Sequence, residues 1–237
     1  MADRFALTTI GTVYSPYQEK FGIPRQPGLA PSLISRVLLQ DEFNNPDAIR
    51  GIEQCSHIWL LFIFSECMDK KWSPTVRPPR LGGNKRMGVF ATRSPFRPNP
   101  IGMSPVKLIA IENNNGQINL LVSGADLLHG TPIVDIKPYL PYSDAIPTAE
   151  CAFAIDIPLL KQEIIFTEEA RHACKKIENS IKQPFKNQLE ELLRCDPRPA
   201  YKKDSIEHSY GVRLHHINIR FRISSEYIFI DSIEPNS

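Results

Sequence analysis

His57-Ile58-Trp59-Leu60-Leu61-Phe62-Ile63-Phe64 is the stretch whose reading decides the fold class. Its apolar run, 58–64, has the length of a strand and falls far short of the ~18 residues that cross a bilayer. Aromatic and β-branched side chains suit a pleated, half-buried surface. Working outward, further short apolar segments follow at 5–13, 34–39, 87–91, 106–111, 118–123 and 133–136. Turn residues separate them, since residues 5–147 carry eleven of the chain's 12 glycines and sixteen of its 21 prolines. Short strands at this spacing, with no helices between them, predict a sandwich or barrel rather than alternating βα units. Trp59, Phe62 and Phe64 are expected in its core, and His57 as a packed, hydrogen-bonded side chain.

Composition changes beyond residue 148. Thr167-Glu168-Glu169-Ala170 is a helix start, a capping threonine with acids in the first turn. Pro184 ends that helix and a second runs to Leu193. Strands are predicted at 210–214, 217–223 and 227–230, with Ser224-Ser225-Glu226 closing a hairpin. The helices must bury an apolar face, most simply on these strands. The expected class is therefore α+β and mostly β: an amino-terminal β-barrel domain, 1–147, and a smaller α+β carboxy-terminal domain, 166–237. Asn45-Pro46-Asp47 marks a short capped helix that Gly51 ends.

Charge is unevenly spread. Residues 70–111 hold nine of the 28 lysines and arginines, seven prolines and no acid. The chain is only +2, so the remaining residues together carry −7. Prolines hold φ fixed, so Thr92-Arg93-Ser94-Pro95-Phe96-Arg97-Pro98-Asn99-Pro100 reads as a stiff loop that displays arginines. A concentrated basic patch argues for an anionic partner more strongly than net charge does.

Common catalytic patterns are missing: no GxGxxG after a strand, no P-loop, no GxSxG, no HExxH. His215 and His216 are adjacent and on a strand would point to opposite faces. With acids spread out and five scattered cysteines, no metal is expected. The cysteines lack a CxxC and read as reduced thiols. Met1-Ala2-Asp3-Arg4 carries no leader pattern, so a cytoplasmic protein without a membrane segment is expected.

The ordered motifs identify a resemblance. Ser15-Pro16-Tyr17, Pro24-Arg25-Gln26, Ser56-His57-Ile58-Trp59, Arg77-Pro78-Pro79-Arg80-Leu81-Gly82-Gly83, residues 89–102 and Gly130-Thr131-Pro132-Ile133-Val134-Asp135-Ile136-Lys137-Pro138-Tyr139 resemble the TsaA-like (TrmO) family of tRNA methyltransferases. Residues 196–201 and 210–223 resemble the carboxy-terminal extension of its longer bacterial members. The resemblance implies a β-barrel that binds S-adenosylmethionine without a Rossmann fold, and a homodimer with cofactor near the subunit interface. It implies N6-methylation of the threonylcarbamoyl-modified adenosine beside the anticodon of threonine tRNA. Carried over residue by residue, the cofactor site is Pro24, Arg25, Gln26, Ser65, Glu66, Arg93, Met103, Asp126, Leu127, Leu128, His129, Gly130 and Thr131. Two positions depart from the family: Ser65-Glu66 stands where members often have a histidine and an amide, and His129 where an aspartate usually precedes Gly-Thr-Pro.

The modified N6 is a poor nucleophile while it keeps its proton, so a base would help. Asp135 and His129 are the candidates; water or the substrate's own carboxylate are alternatives. The tRNA phosphates fall to Arg77, Arg80, Lys85, Arg86 and Arg97, with Arg198, Lys202 and Lys203 from the carboxy-terminal region. Two rival readings are a non-enzymatic RNA-binding module and a nucleotide hydrolase using Asp126 and Asp135.

Overall fold

Alternation in the opening stretch sets the first strand wall. The computed structural model describes residues 5–78, 85–153, 157, 159–198 and 208–235; Arg80, Lys202 and Lys203 lie outside them. In β3 (His57–Ile63), Ile58, Leu60 and Phe62 are buried, while His57 is exposed and Trp59 and Leu61 are partly so. Strands β1 (Gly11–Tyr14), β2 (Ile34–Leu39), β6 (Ile101–Asn114), β7 (Gln117–Ser123) and β8 (Pro132–Pro138) join it. The antiparallel pairings run β1-β2-β7-β6-β3-β8 and return from β8 to β1, closing a barrel. Its interior is filled by Val13, Val37, Ile58, Leu60, Phe62, Val106, Leu120, Ile133 and their neighbours.

Between β3 and β6 the chain makes a long excursion, pinned by the two-residue strands β4 (Thr75–Val76) and β5 (Met87–Gly88). A strand was expected over 87–91, but it stops after Gly88. Thr92 closes a 3-10 turn on Val89 through its amide, 3.1 Å from the Val89 carbonyl, and its hydroxyl donates to the same oxygen at 2.8 Å. The short helix expected after Asn45 is likewise a 3-10 turn, Pro46–Ile49, capped by the Asn45 side chain.

The carboxy-terminal part forms a sheet ordered β10 (Ser209–Leu214), β11 (Ile217–Ile223), β12 (Tyr227–Pro235) and β9 (Glu163–Phe166). Strand β9 lies in a stretch that carried no strand expectation; it pairs parallel to β12. A one-turn helix α1 (Pro141–Asp144) follows the barrel, and α2 (Glu168–Ile181) and α3 (Phe185–Arg194) pack on the second sheet. The Thr167 hydroxyl accepts the Ala170 amide at 3.1 Å, the cap its sequence predicts.

Sequence units and packing units do not coincide. Tyr17, Ala30 and Leu33, from the loop after β1, are buried in the carboxy-terminal core. The Pro16 carbonyl accepts the His215 amide at 2.7 Å, and Glu191 accepts from both the amide and hydroxyl of Ser32. His215 and His216 do not lie on a strand at all; they make the turn between β10 and β11, with His215 at φ 54°. Two core expectations also change. His57 is exposed, bonded to the Ser56 hydroxyl at 2.9 Å. Trp59 faces outward, its indole N–H donating to Asp144 at 2.8 Å.

Candidate cofactor site at one end of the barrel

Strand direction alone gathers most of the predicted site. The ends of β1, β3 and β7 and the starts of β2, β6 and β8 all lie at one rim, as the registers Tyr14↔Arg36, Ile63↔Ile101 and Phe62↔Ile133 show. The loops 15–33, 64–100 and 124–131 therefore leave from the same end. Pro24, Arg25, Gln26, Ser65, Glu66, Arg93 and Asp126 through Thr131 all sit on those three loops.

The loops are tied to one another. The Gly28 amide donates to the Gly124 carbonyl at 2.8 Å. A Cβ on Gly124 would stand 3.0 Å from the Gly28 Cα, and Gly124 has φ +73°. Only glycine permits both the approach and the backbone angle. The Arg93 guanidinium donates to the Gln26 side-chain oxygen at 2.6 Å, and Lys20 pairs with Glu66 at 3.3 Å. Pro24 is buried, which fixes the loop that presents Arg25 and Gln26.

Asp126 is the central charged group. It accepts a hydrogen bond from the Ser104 hydroxyl at 2.6 Å. Ser104 points into the barrel, paired with Leu60. Burial pushes the Asp126 carboxyl up to about 6, against the opposing pull of the Ser104 bond and the nearby Arg93 charge. Two residues nearer the rim than Ser104, Gly102 lies against the Phe62 ring, which meets Phe64 edge-on at 5.1 Å. A carboxylate and a guanidinium at the mouth of an apolar barrel suit an amphoteric ligand with one cationic and one anionic end. S-adenosylmethionine is such a ligand, so the donor set fits it.

Several predicted contacts change character. The Leu127 side chain belongs to the barrel core, leaving only its backbone for a ligand. The Thr131 hydroxyl is spent on the Leu128 carbonyl at 2.7 Å. His129 and Gly130 are exposed, and His129 lies edge-on to Tyr14 at 5.1 Å. Met103 is 56% exposed on the outer face of β6, opposite in direction to Ser104, and pairs across Leu61 with Asp135. Asp135, expected as a base, is thus on the barrel exterior and pairs with Lys137 at 2.7 Å. It does not meet Asp126, so the two-carboxylate hydrolase site is not assembled.

The basic surface is partly as expected. Arg77, Lys85 and Arg86 are exposed. Arg97 folds back to donate to the Thr92 and Ser94 carbonyls at 3.0 and 3.3 Å, which shapes the arginine loop from within. Arg198 corrects the sequence reading most plainly. Its side chain is only 8% exposed and pairs with Asp196 at 2.9 Å, so it is not displayed to a phosphate. Its carbonyl accepts from the Arg25 guanidinium at 3.1 Å, joining the carboxy-terminal part to the loop that carries Pro24, Arg25 and Gln26. Sequence reasoning missed Ser104 and Lys20; a lone inward serine on a strand carries no signal until its partner is placed.

Comparisons with known proteins decide the family. Residues 12–145 match the model of the tRNA-methyltransferase O N-terminal domain, and residues 160–236 match the TrmO C-terminal domain. The chain belongs to the TrmO family. A tRNA (adenine(37)-N6)-methyltransferase of Escherichia coli K12 is 44% identical over 232 residues, 98% of each chain. RcsF of Pseudomonas aeruginosa, named for S-adenosylmethionine-dependent methyl transfer, is 43% identical over 216 residues, 91% of each. A crystal structure of TrmO from Pseudomonas aeruginosa superposes with a TM-score of 0.81 at 35% identity, covering 100% of this chain and 99% of that one. As a family member the protein is an S-adenosylmethionine-dependent tRNA methyltransferase.

Proposed function

We propose that the rim of the barrel holds S-adenosylmethionine between the loops 24–26, 65–66 and 126–131, and methylates N6 of the threonylcarbamoyl-adenosine beside the anticodon of threonine tRNA. The observation that carries this reading is the Arg93–Gln26 bond near Asp126, a half-buried carboxylate bonded to the buried Ser104. Bound there, the cofactor supplies an electrophilic methyl group on its sulfonium. The chain's own task is to align donor and acceptor and to keep water out. Arg93 suits the donor's carboxylate and Asp126 its cationic part; the Leu127 backbone lies on the same loop.

The acceptor N6 must lose a proton. Of the two sequence candidates, His129 sits on the rim and is exposed, whereas Asp135 is turned outward and ion-paired. His129 is therefore the better-placed acceptor. The anticodon loop lies over the acid-free part of the excursion, from residue 70 on, its phosphates met by Arg77, Lys85 and Arg86, and its adenine splayed out as single-stranded loops permit. An arginine of this surface reads the threonyl carboxylate.

The carboxy-terminal part, 166–237, acts with the barrel rather than as a loose appendage, because Tyr17, Ala30 and Leu33 are embedded in it. The homodimer reading is supported by the exterior of β6, where Ile101 and Met103 are exposed beside the rim. A second copy on that face brings Met103 and Asp135 to a subunit boundary. The five free cysteines support a cytoplasmic location.

Methylation rates on threonine tRNA with and without the threonylcarbamoyl group test the substrate. The modified tRNA is expected to react and the bare adenosine not to; equal rates would refute the assignment. Arg93→Ala should weaken cofactor binding, and Arg77→Ala should weaken only tRNA binding. If both lost tRNA affinity alone, the division of the site would be wrong.

A further inference from the structure

The basic excursion carries more than charge. Trp72, Phe90 and Phe96 are 51%, 75% and 39% exposed, large apolar rings in a stretch rich in cations and free of acids. Backbone bonds bring the segments that carry them together. The Ser73 amide, next to Trp72, donates to the Phe96 carbonyl at 3.3 Å. The Val89 amide, next to Phe90, donates to the Pro74 carbonyl at 3.0 Å. The Lys70 ammonium stands 5.6 Å from the centre of the Phe96 ring.

Three exposed aromatics in one place are costly to leave wet unless something covers them. The cover must also tolerate Lys70, Arg77 and Arg86 around it, which disfavours an apolar protein face. Unpaired nucleobases meet both demands: each has a π-face for an aromatic ring and a phosphate for a neighbouring cation. A duplex offers the phosphates but keeps its faces stacked inside.

Resting on the tRNA reading above, we infer that Trp72, Phe90 and Phe96 form a stacking platform for unpaired bases of the anticodon loop. The platform holds the bases flanking the target adenosine while the arginines hold the backbone. Specificity for a loop over a helix then comes from rings, and affinity for any RNA from charge.

Fluorescence anisotropy with two RNAs tests this: the anticodon stem-loop of threonine tRNA, and a duplex of equal length with no loop. Trp72→Ala, Phe90→Ala and Phe96→Ala should each weaken stem-loop binding roughly tenfold and duplex binding by less than about twofold. The salt dependence should stay unchanged, because no phosphate contact is lost. Trp72→Phe, Phe90→Tyr and Phe96→Tyr should restore binding, which separates stacking from folding. Cofactor affinity should not move. Alanine variants that bind the stem-loop like the parent, or that lose both RNAs equally, would overturn the inference. So would alanine variants that turn a dimer into a monomer, since the rings would then belong to a subunit interface. If the parent protein binds neither RNA, the tRNA reading fails first and this inference with it.

Discussion

Asp126→Asn is the sharpest single perturbation of the rim. Asp126 has its carboxyl raised from 3.8 to about 6, chiefly by burial. At about 1.4 kcal/mol per unit, the folded protein spends about 3 kcal/mol to keep this group ionised near neutrality. Because the folded value is the raised one, the native state binds the proton more tightly than the unfolded chain does. The group's contribution to stability is therefore fully present below pH ~4 and lost as pH rises through about 6. Asparagine keeps the shape and a partner for Ser104 but cannot ionise. Urea unfolding of both proteins from pH 4 to pH 8 should show the variant gaining on the parent by up to about 3 kcal/mol across that window. The variant should also bind S-adenosylmethionine more weakly, since its cationic part loses a carboxylate. A stability difference that does not change with pH would refute the argument, for it would mean that Asp126 is solvated rather than held at the barrel mouth.

Gly102→Ala should destabilise the barrel by about 1–3 kcal/mol, because the added methyl overlaps the buried Phe62 ring; urea midpoints measure it, and a neutral result would show that Phe62 moves freely. Arg198→Ala should lower stability by removing a buried cation that pairs with Asp196 at 2.9 Å, and a variant with unchanged unfolding but lower tRNA affinity would restore Arg198 to the RNA surface. Arg77→Ala should reduce the slope of log affinity against log salt by roughly one for tRNA of any sequence, whereas an unchanged slope would place Arg77 away from phosphate.

Much of the barrel was legible because period-two patterning survives in the strands that face a core. Ile58, Leu60 and Phe62 alternate inward as residues of that kind must. Errors arose where backbone bonds outside the pattern decide the outcome. Residues 87–91 look like a strand, yet Thr92 turns them into a 3-10 loop. Trp59 looks like core, yet its polar edge finds Asp144 at the surface. The motifs named the rim residues, and strand direction explains why they meet. Pairings between distant segments were not legible: Ser104 with Asp126 and Arg25 with the Arg198 carbonyl join residues 22 and 173 positions apart. Arg198 could not be told from a surface arginine by composition, because only the fold shows Asp196 closing over it.

Methyl transfer from S-adenosylmethionine to threonylcarbamoylated threonine tRNA, read by mass spectrometry of the released nucleosides, tests the central claim directly. The account predicts one added methyl on N6 of the modified adenosine beside the anticodon, with transfer weakened by Arg93→Ala. A folded protein that leaves this nucleoside unmethylated with cofactor and modified tRNA both present would contradict it.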